Sequence, residues 1–226
     1  MGKSLFITGT GTDIGKTYVT GLIVKKLHDA GLRAGYYKAA LSGAETLADG
    51  TLLPGDALHV AQIAGLAAED ASVSYIYRDA VSPHLAAQIE NRPMDFDKVE
   101  QDFKQAQERT DYLTVEGSGG IICPLRWDDE EHVVLDDLIL RLGLSALVVA
   151  DAGLGTINAA VLTAEHLRMR GISLKGFIFN NWQGGTMQED NVRMVEALTG
   201  APVLACVEHG AVELPMAVDA LAALYD

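Results

Sequence analysis

Thr8-Gly9-Thr10-Gly11-Thr12-Asp13-Ile14-Gly15-Lys16-Thr17 is the stretch whose reading decides the fold. It follows a short apolar run, Leu5-Phe6-Ile7, and opens an amphipathic segment that starts at Lys16. A strand, a glycine-rich turn and Gly-Lys-Thr at a helix start form the layout of a phosphate-binding loop. Glycines let backbone N–H groups curl around phosphate oxygens, and the helix N-terminus adds a favourable dipole. In such a loop Lys16 reaches the terminal phosphates and Thr17 offers its hydroxyl to Mg²⁺. The strict spacing G-x4-G-K-[ST] requires glycine at position 10, which is Thr10; Gly9 stands one residue too early and Gly11 one too late. The spacing misses by one residue while the context holds, which favours a nucleotide site over a plain glycine-rich turn.

Outward from the loop, Val19, Leu22, Ile23 and Leu27 recur at helical spacing until Gly31 stops the segment. Residues 34–38 read as the next strand, ending at Lys38. Residues 39–55 are rich in Gly, Ala, Ser, Thr and Asp and read as a long loop, a length that usually signals function or mobility. Further strands are expected at 112–115, 146–150, 176–179 and 203–206. Helices are expected from Asp56, over 85–91, 96–109 and 134–142, after the lead-in of residues 153–158 to about Arg170, and over 192–198 and 212–225. Residues 123–132 read as an irregular acidic loop. The strands are short continuous apolar runs that alternate with helices. That pattern implies an α/β fold of three layers, a mostly parallel sheet with helices on both faces, in one domain over residues 1–226.

The chain has 226 residues, 49% hydrophobic and 21% charged, which is ordinary globular composition. Its net charge of −14 argues against nucleic acid or an anionic membrane as partner. Two cysteines, Cys123 and Cys206, form no C-x-x-C and support neither a disulfide framework nor a zinc site. The sequence enters its first strand without a signal-peptide pattern, and no run reaches the ~18 apolar residues of a membrane span. A cytoplasmic protein is the expectation.

In parallel sheets ligands bind beyond the carboxyl ends of the strands, where Lys38, Glu116, Asp151 and Asn180 all fall. Mg²⁺ bound to ATP takes one or two carboxylates with phosphates and waters, and sequence alone does not choose between Glu116 and Asp151. Asp56 is a third candidate, or else a helix N-cap. Lys38 is either a second cation facing the phosphates or a surface lysine. His84 is a base or, more simply, a structural histidine. Asn180 is an amide that reads adenine or a turn residue tolerating a left-handed backbone.

Taken together, these residues resemble the dethiobiotin synthetase family, ATP-dependent enzymes that close the ureido ring in biotin synthesis. The resemblance covers almost the whole chain. Its loop pattern is similar to Gly9 through Thr17, with five residues between the outer glycines. Lys-Pro-x-x-Ser/Thr-Gly is similar to Lys38-Ala39-Ala40-Leu41-Ser42-Gly43, with alanine in place of proline. Asp56-Ala57-Leu58, Ser82-Pro83-His84, Val115-Glu116-Gly117-Ser118-Gly119-Gly120 and Leu154-Gly155-Thr156-Ile157-Asn158 also correspond.

The resemblance implies a P-loop NTPase-like fold and three substrates: ATP, CO₂ and 7,8-diaminopelargonic acid. It implies a nucleotide site of Gly11, Asp13, Ile14, Gly15, Lys16, Thr17, Tyr18, Glu116 and Asn180, and Mg²⁺ on Thr17, Asp56 and Glu116. Catalysis would fall to Lys38, Lys16, Thr12, Asp13 and Ser42. Thr12, Lys38, Ser42 and Gly119 would hold the substrate, with Leu154, Gly155 and Asn158 supplied across a homodimer interface. Besides Ala39, this sequence departs from the family in three places. Asp13 stands where many members have glutamate, Glu189-Asp190-Asn191 lacks an expected tyrosine, and Glu208-His209-Gly210 follows the last strand in place of a proline. The main alternative is a switch ATPase of the partition or septum-site type, acting by partner binding. Such proteins carry a lysine near the start of the loop, where this chain has Gly9-Thr10-Gly11.

Overall fold

A computed structural model describes residues 2–226. In its first half β1 (Lys3–Gly9), α1 (Lys16–Asp29) and β2 (Ala34–Leu41) are followed by a small hairpin, β3 (Glu45–Thr46) with β4 (Leu52–Leu53). Then come α2 (Gly55–Ala64), β5 (Ala71–Ile76), α3 (Pro83–Ile89), α4 (Phe96–Arg109) and β6 (Tyr112–Glu116). The second half has the hairpin β7 (Pro124–Trp127) and β8 (His132–Val134), then α5 (Leu135–Leu142), β9 (Ala146–Asp151) and α6 (Thr156–Met169). It closes with β10 (Leu174–Trp182), α7 (Thr186–Thr199), β11 (Val203–Glu208) and α8 (Val218–Ala222).

Seven strands form one parallel sheet in the order β11-β10-β9-β1-β6-β2-β5. Because side chains alternate along a strand, each central strand feeds two cores. Phe6, Tyr37, Val115, Val148 and Phe179 pack on one face with Val99 and Phe103 of α4, Ala160 of α6 and Val195 of α7. Leu5, Ile7, Tyr36, Val149 and Ile178 pack on the other with Leu22 and Ile23 of α1, Val60 of α2 and Leu221 of α8. The expected three-layer α/β arrangement is present. Strand β1 sits between β6 and β9, so the chain winds outward in both directions from the strand that carries the phosphate loop. That reversal opens a crevice beyond the strand ends.

Four expectations change. Residues 39–55 are not one long loop: β2 runs on to Leu41, and Glu45 pairs with Leu53 and Thr46 with Leu52 in a hairpin. Asp56 does not cap α2; it is the second residue of that helix, whose N-cap is Pro54. Residues 123–132 form a hairpin in which Trp127 pairs with His132, closed by Arg126 bonds to Asp128 and Glu130. The C-terminal helix covers only Val218–Ala222, because Leu214 inserts into the core ahead of Pro215 and holds that part of the chain out of a helix.

Candidate functional site

The phosphate loop folds as its residues require. Asp13 and Gly15 both take left-handed backbone angles, φ 58° and 88°. Aspartate tolerates that region, and Gly15 has no alternative, since a Cβ there would lie 2.1 Å from Asn180 Nδ2. A Cβ at Gly9 would lie 2.6 Å from Ile14 Cδ1, so the loop can fold back tightly over the end of β1. Lys16 returns along this loop and donates from Nζ to Gly11 O at 2.7 Å.

Opposite the loop stands a charge cluster set by strand register. Lys38 on β2 lies directly across from Glu116 on β6. Lys38 Nζ is 2.8 Å from Glu116 Oε1 and 2.6 Å from Asp56 Oδ2. Glu116 Oε1 also accepts from Thr17 Oγ1 at 2.8 Å, and Oε2 accepts from Tyr36 OH at 3.2 Å. Burial works against the Lys38 charge, but Glu116 and Asp56 outweigh it and raise its pKa above the ordinary 10.5. Lys16 behaves oppositely. Its burial dominates and lowers its pKa, with Glu116 opposing and the Lys38 charge adding to the fall. Tyr36 is buried beside Glu116 and its phenol is pushed well above the usual value, so it stays a donor.

A cavity of ≈ 430 Å³ lies between loop and cluster, lined by Thr12, Asp13, Gly15, Lys16, Thr17, Lys38, Ser42, Asp56, Glu116 and Gly119 among others. A second cavity of ≈ 390 Å³ shares Asp13 and Gly15 with it and adds Tyr18, Asn180, Asn181, His209 and Gly210. There Asn180 donates from Nδ2 to Ile14 O at 3.0 Å, while its Oδ1 is buried without a hydrogen-bond partner. That oxygen is a free acceptor beside the loop. Tyr18 OH donates to Ala211 O.

Among the described residues no group of three or more His, Cys, Asp or Glu is placed to hold a metal by itself. Mg²⁺ carried by ATP needs less, and Thr17, Asp56 and Glu116 offer an all-oxygen set on the wall of one cavity, the donor chemistry that ion takes. Asp151 is not part of this wall. Its Oδ1 accepts from Gly153 N at 2.7 Å and its Oδ2 from Asn181 Nδ2 at 2.6 Å. His84 also lies elsewhere, bonded to Ser82 Oγ at 3.0 Å in a separate cavity with Gln88 and Trp127.

The fold brings together Thr12, Asp13, Lys16, Thr17, Lys38, Ser42, Asp56, Glu116 and Gly119, with Tyr18 and Asn180 in the adjoining cavity and Gly11 and Ile14 held by Lys16 and Asn180. It does not bring Leu154, Gly155 and Asn158 to the same cavity; all three are exposed at the start of α6. Tyr36 belongs to no motif in the sequence, although period-two alternation puts it on the same face of β2 as Lys38. Asn191, in the stretch that lacks a tyrosine, is buried and donates to Ala152 O at 3.0 Å and Gly153 O at 3.2 Å.

A family model described as an AAA domain matches residues 3–212. An ATP-dependent dethiobiotin synthetase of Brachyspira hyodysenteriae is 47% identical over 216 residues, covering 95% of this chain and 96% of the relative. One from Clostridium botulinum strain Langeland is 44% identical, covering 100% and 99%. The chain belongs to the ATP-dependent dethiobiotin synthetase family. Among solved structures, the MinC:MinD cell division complex of Aquifex aeolicus aligns with TM-score 0.56 at 15% identity, over 98% of this chain and 86% of that one. A ParA family ATPase from Chlorobium tepidum gives TM-score 0.56 at 14% identity, over 92% and 84%. These two share the P-loop NTPase-like fold; the synthetases share the sequence. No helix among the described residues is long and apolar enough to cross a membrane.

Proposed function

We propose that the cavity joins CO₂ to 7,8-diaminopelargonic acid at the expense of ATP, closing the ring of dethiobiotin, with Lys38 as the group central to the chemical step. One observation carries this reading: the Lys38 ammonium is buried between Asp56 and Glu116 on the wall that faces Lys16 and the phosphate loop. A neutral substrate amine adds to CO₂ and loses a proton, giving a carbamate. A carbamate oxygen attacks the γ-phosphorus of ATP and ADP leaves. The second amine then attacks the carbonyl carbon of the carbamic-phosphoric anhydride, and inorganic phosphate leaves as the ring closes.

Such transfer depends on positioning and charge neutralisation. Lys16 sits with the transferred phosphoryl group, and Lys38 bridges it to the carbamate. Thr12 and Ser42 hold the diamine and carbamate with Gly119 behind them, and Asp13 offers its carboxylate to an amine. Thr17, Asp56 and Glu116 would hold Mg²⁺, which when bound neutralises charge on the β- and γ-phosphates. Asn180 reads the base: with Nδ2 committed to Ile14, its free Oδ1 suits the exocyclic amino group of adenine.

The substrate carboxylate is met by the turn at Leu154, Gly155 and Asn158 from a second copy of the chain. Support for a homodimer comes from apolar side chains exposed on α6 and α7, which pack side by side: Leu162 at 62%, Met169 at 75% and Leu198 at 52%. A cytoplasmic setting belongs to the same reading, supported by its use of ATP.

Phosphate release from ATP, measured with and without diaminopelargonate and bicarbonate, tests the proposal. Release that requires both is expected. Release indifferent to the diamine would point to the switch ATPase and overturn this reading.

A further inference from the structure

The second half of the molecule holds a partly buried polar cluster outside the cavity of Lys38 and Glu116. Asp151 ends β9, and both its oxygens are taken, one by the Gly153 N–H and one by the Asn181 amide. Asn191 on α7 is 5% exposed and divides its amide between the carbonyls of Ala152 and Gly153. Ala152 N donates to Asn180 O at 2.8 Å. Asn181 is itself held in a left-handed conformation at φ 58°. Asp151 and Asn191 therefore point at the backbone of residues 152–153, while Asn181 braces Asp151 and also lines the cavity of Tyr18 and Asn180.

What the cluster fixes is the direction of the peptide groups that follow. In a trans peptide the C=O and the next N–H point opposite ways. Holding the Gly153 carbonyl against Asn191 turns the Leu154 N–H away from the core. Among the described residues the N–H groups of Leu154, Gly155, Ile157 and Asn158 have no acceptor, as the first turn of a helix leaves them. Leu154 is 92% exposed, so this turn stands clear of its own subunit. Gly153 and Gly155 bracket it, and without an anchor such a turn would sample many conformations. The Thr156 hydroxyl, buried at the first residue of α6, has no partner either.

We propose that Asp151 and Asn191 are positioning residues for substrate selection: they lock residues 152–155 from behind, so that backbone N–H groups alone recognise the substrate carboxylate. This rests on the reading that the start of α6 meets that carboxylate. No side-chain donor is needed, because the anion faces N–H groups whose orientation is set before binding. The Asp151 charge is spent on two donors and is held away from the substrate.

The test compares diaminopelargonate with 2,3-diaminononane, the same diamine with a methyl group in place of the carboxylate. The wild-type enzyme is expected to favour diaminopelargonate strongly in KM. Asp151→Asn and Asn191→Ala should each raise KM for diaminopelargonate about tenfold, with kcat and the KM for ATP within about twofold and KM for 2,3-diaminononane unmoved. The double variant Asp151→Asn/Asn181→Asp reverses donor and acceptor across that pair and, measured at saturating ATP because Asn181 also lines the nucleotide-side cavity, should restore diaminopelargonate KM toward wild type. It also keeps the test intact if Asn191→Ala does not fold. A wild type that treats both diamines alike would overturn the carboxylate reading of α6. A discriminating wild type whose variants discriminate equally well, or weaken both diamines alike, or gain nothing from the exchange, would overturn the positioning role alone.

Discussion

Glu116 and Asp151 occupy equivalent places. Strands β6 and β9 flank β1 on either side, and each ends an apolar run with an acid at the mouth of the crevice. Their surroundings separate them. Glu116 faces Lys38 across the sheet and gathers a hydroxyl, a phenol and an ammonium around a cavity. Asp151 faces Asn180 in register and spends both oxygens on a neighbouring amide and a backbone N–H. The first acid keeps a charged partner and access to ligand; the second is a brace. Location at a strand end supplies only the opportunity. The residue on the next strand decides whether a carboxylate meets a ligand or the protein itself.

The contrast can be broken most forcefully at its cation. Lys38→Ala should lower kcat about 10³-fold while ATP still binds within a few-fold of wild type, since the phosphate loop is intact. Ring closure near the wild-type rate, followed by dethiobiotin formation, would contradict the bridging role. Glu116→Gln comes next, with an expected loss of about 10²-fold in turnover and a clear rise in the Mg²⁺ needed for half-maximal rate. Removing one member of a buried ion pair should also cost about 3 kcal/mol in denaturant unfolding. Asp151→Asn should leave the Mg²⁺ dependence where it was; equal Mg²⁺ profiles for the two variants would erase the distinction.

The smallest effect is on pH. Lys16 has its pKa lowered by burial, so kcat/KM for ATP should fall on the alkaline side at a pH below 10.5. The sign for stability is opposite in the two lysines. The raised pKa of Lys38 means its ion pairs contribute fully below 10.5 and are lost only as pH climbs through the higher folded value. For Lys16 the charged form is the disfavoured one, so its cost is present below its folded pKa and relieved between there and 10.5. Activity should therefore decline before the fold melts. A rate limb at or above 10.5, or one coincident with thermal unfolding, would refute the assignment.

Much of this was readable in the chain. Gly-Lys-Thr after an apolar run located the phosphate loop, and continuous runs such as Ala146-Leu147-Val148-Val149-Ala150 announced buried parallel strands. Strand β5 carries no such run: Ala71-Ser72-Val73-Ser74-Tyr75-Ile76 interleaves two serines and is mostly half-buried at the sheet edge, so it lacks the apolar density of its neighbours. The hairpin of Glu45–Thr46 with Leu52–Leu53 is too short to show any period. Lys38, Asp56 and Glu116 could be named singly. That one ammonium would sit between both acids depends on parallel register and on the approach of α2, and neither is written locally. The split between Glu116 and Asp151 was beyond sequence logic for the same reason.

The embrace of Lys38 by two carboxylates has a consequence for chemoselectivity. Only an unprotonated amine can add to CO₂, and an enzyme that works with CO₂ exposes its own lysines to that reaction. With its pKa raised, Lys38 remains an ammonium throughout the working range and offers no lone pair. In the proposed reaction the lysine placed beside the carbamate is thus protected from becoming one, and the gas is left for the substrate.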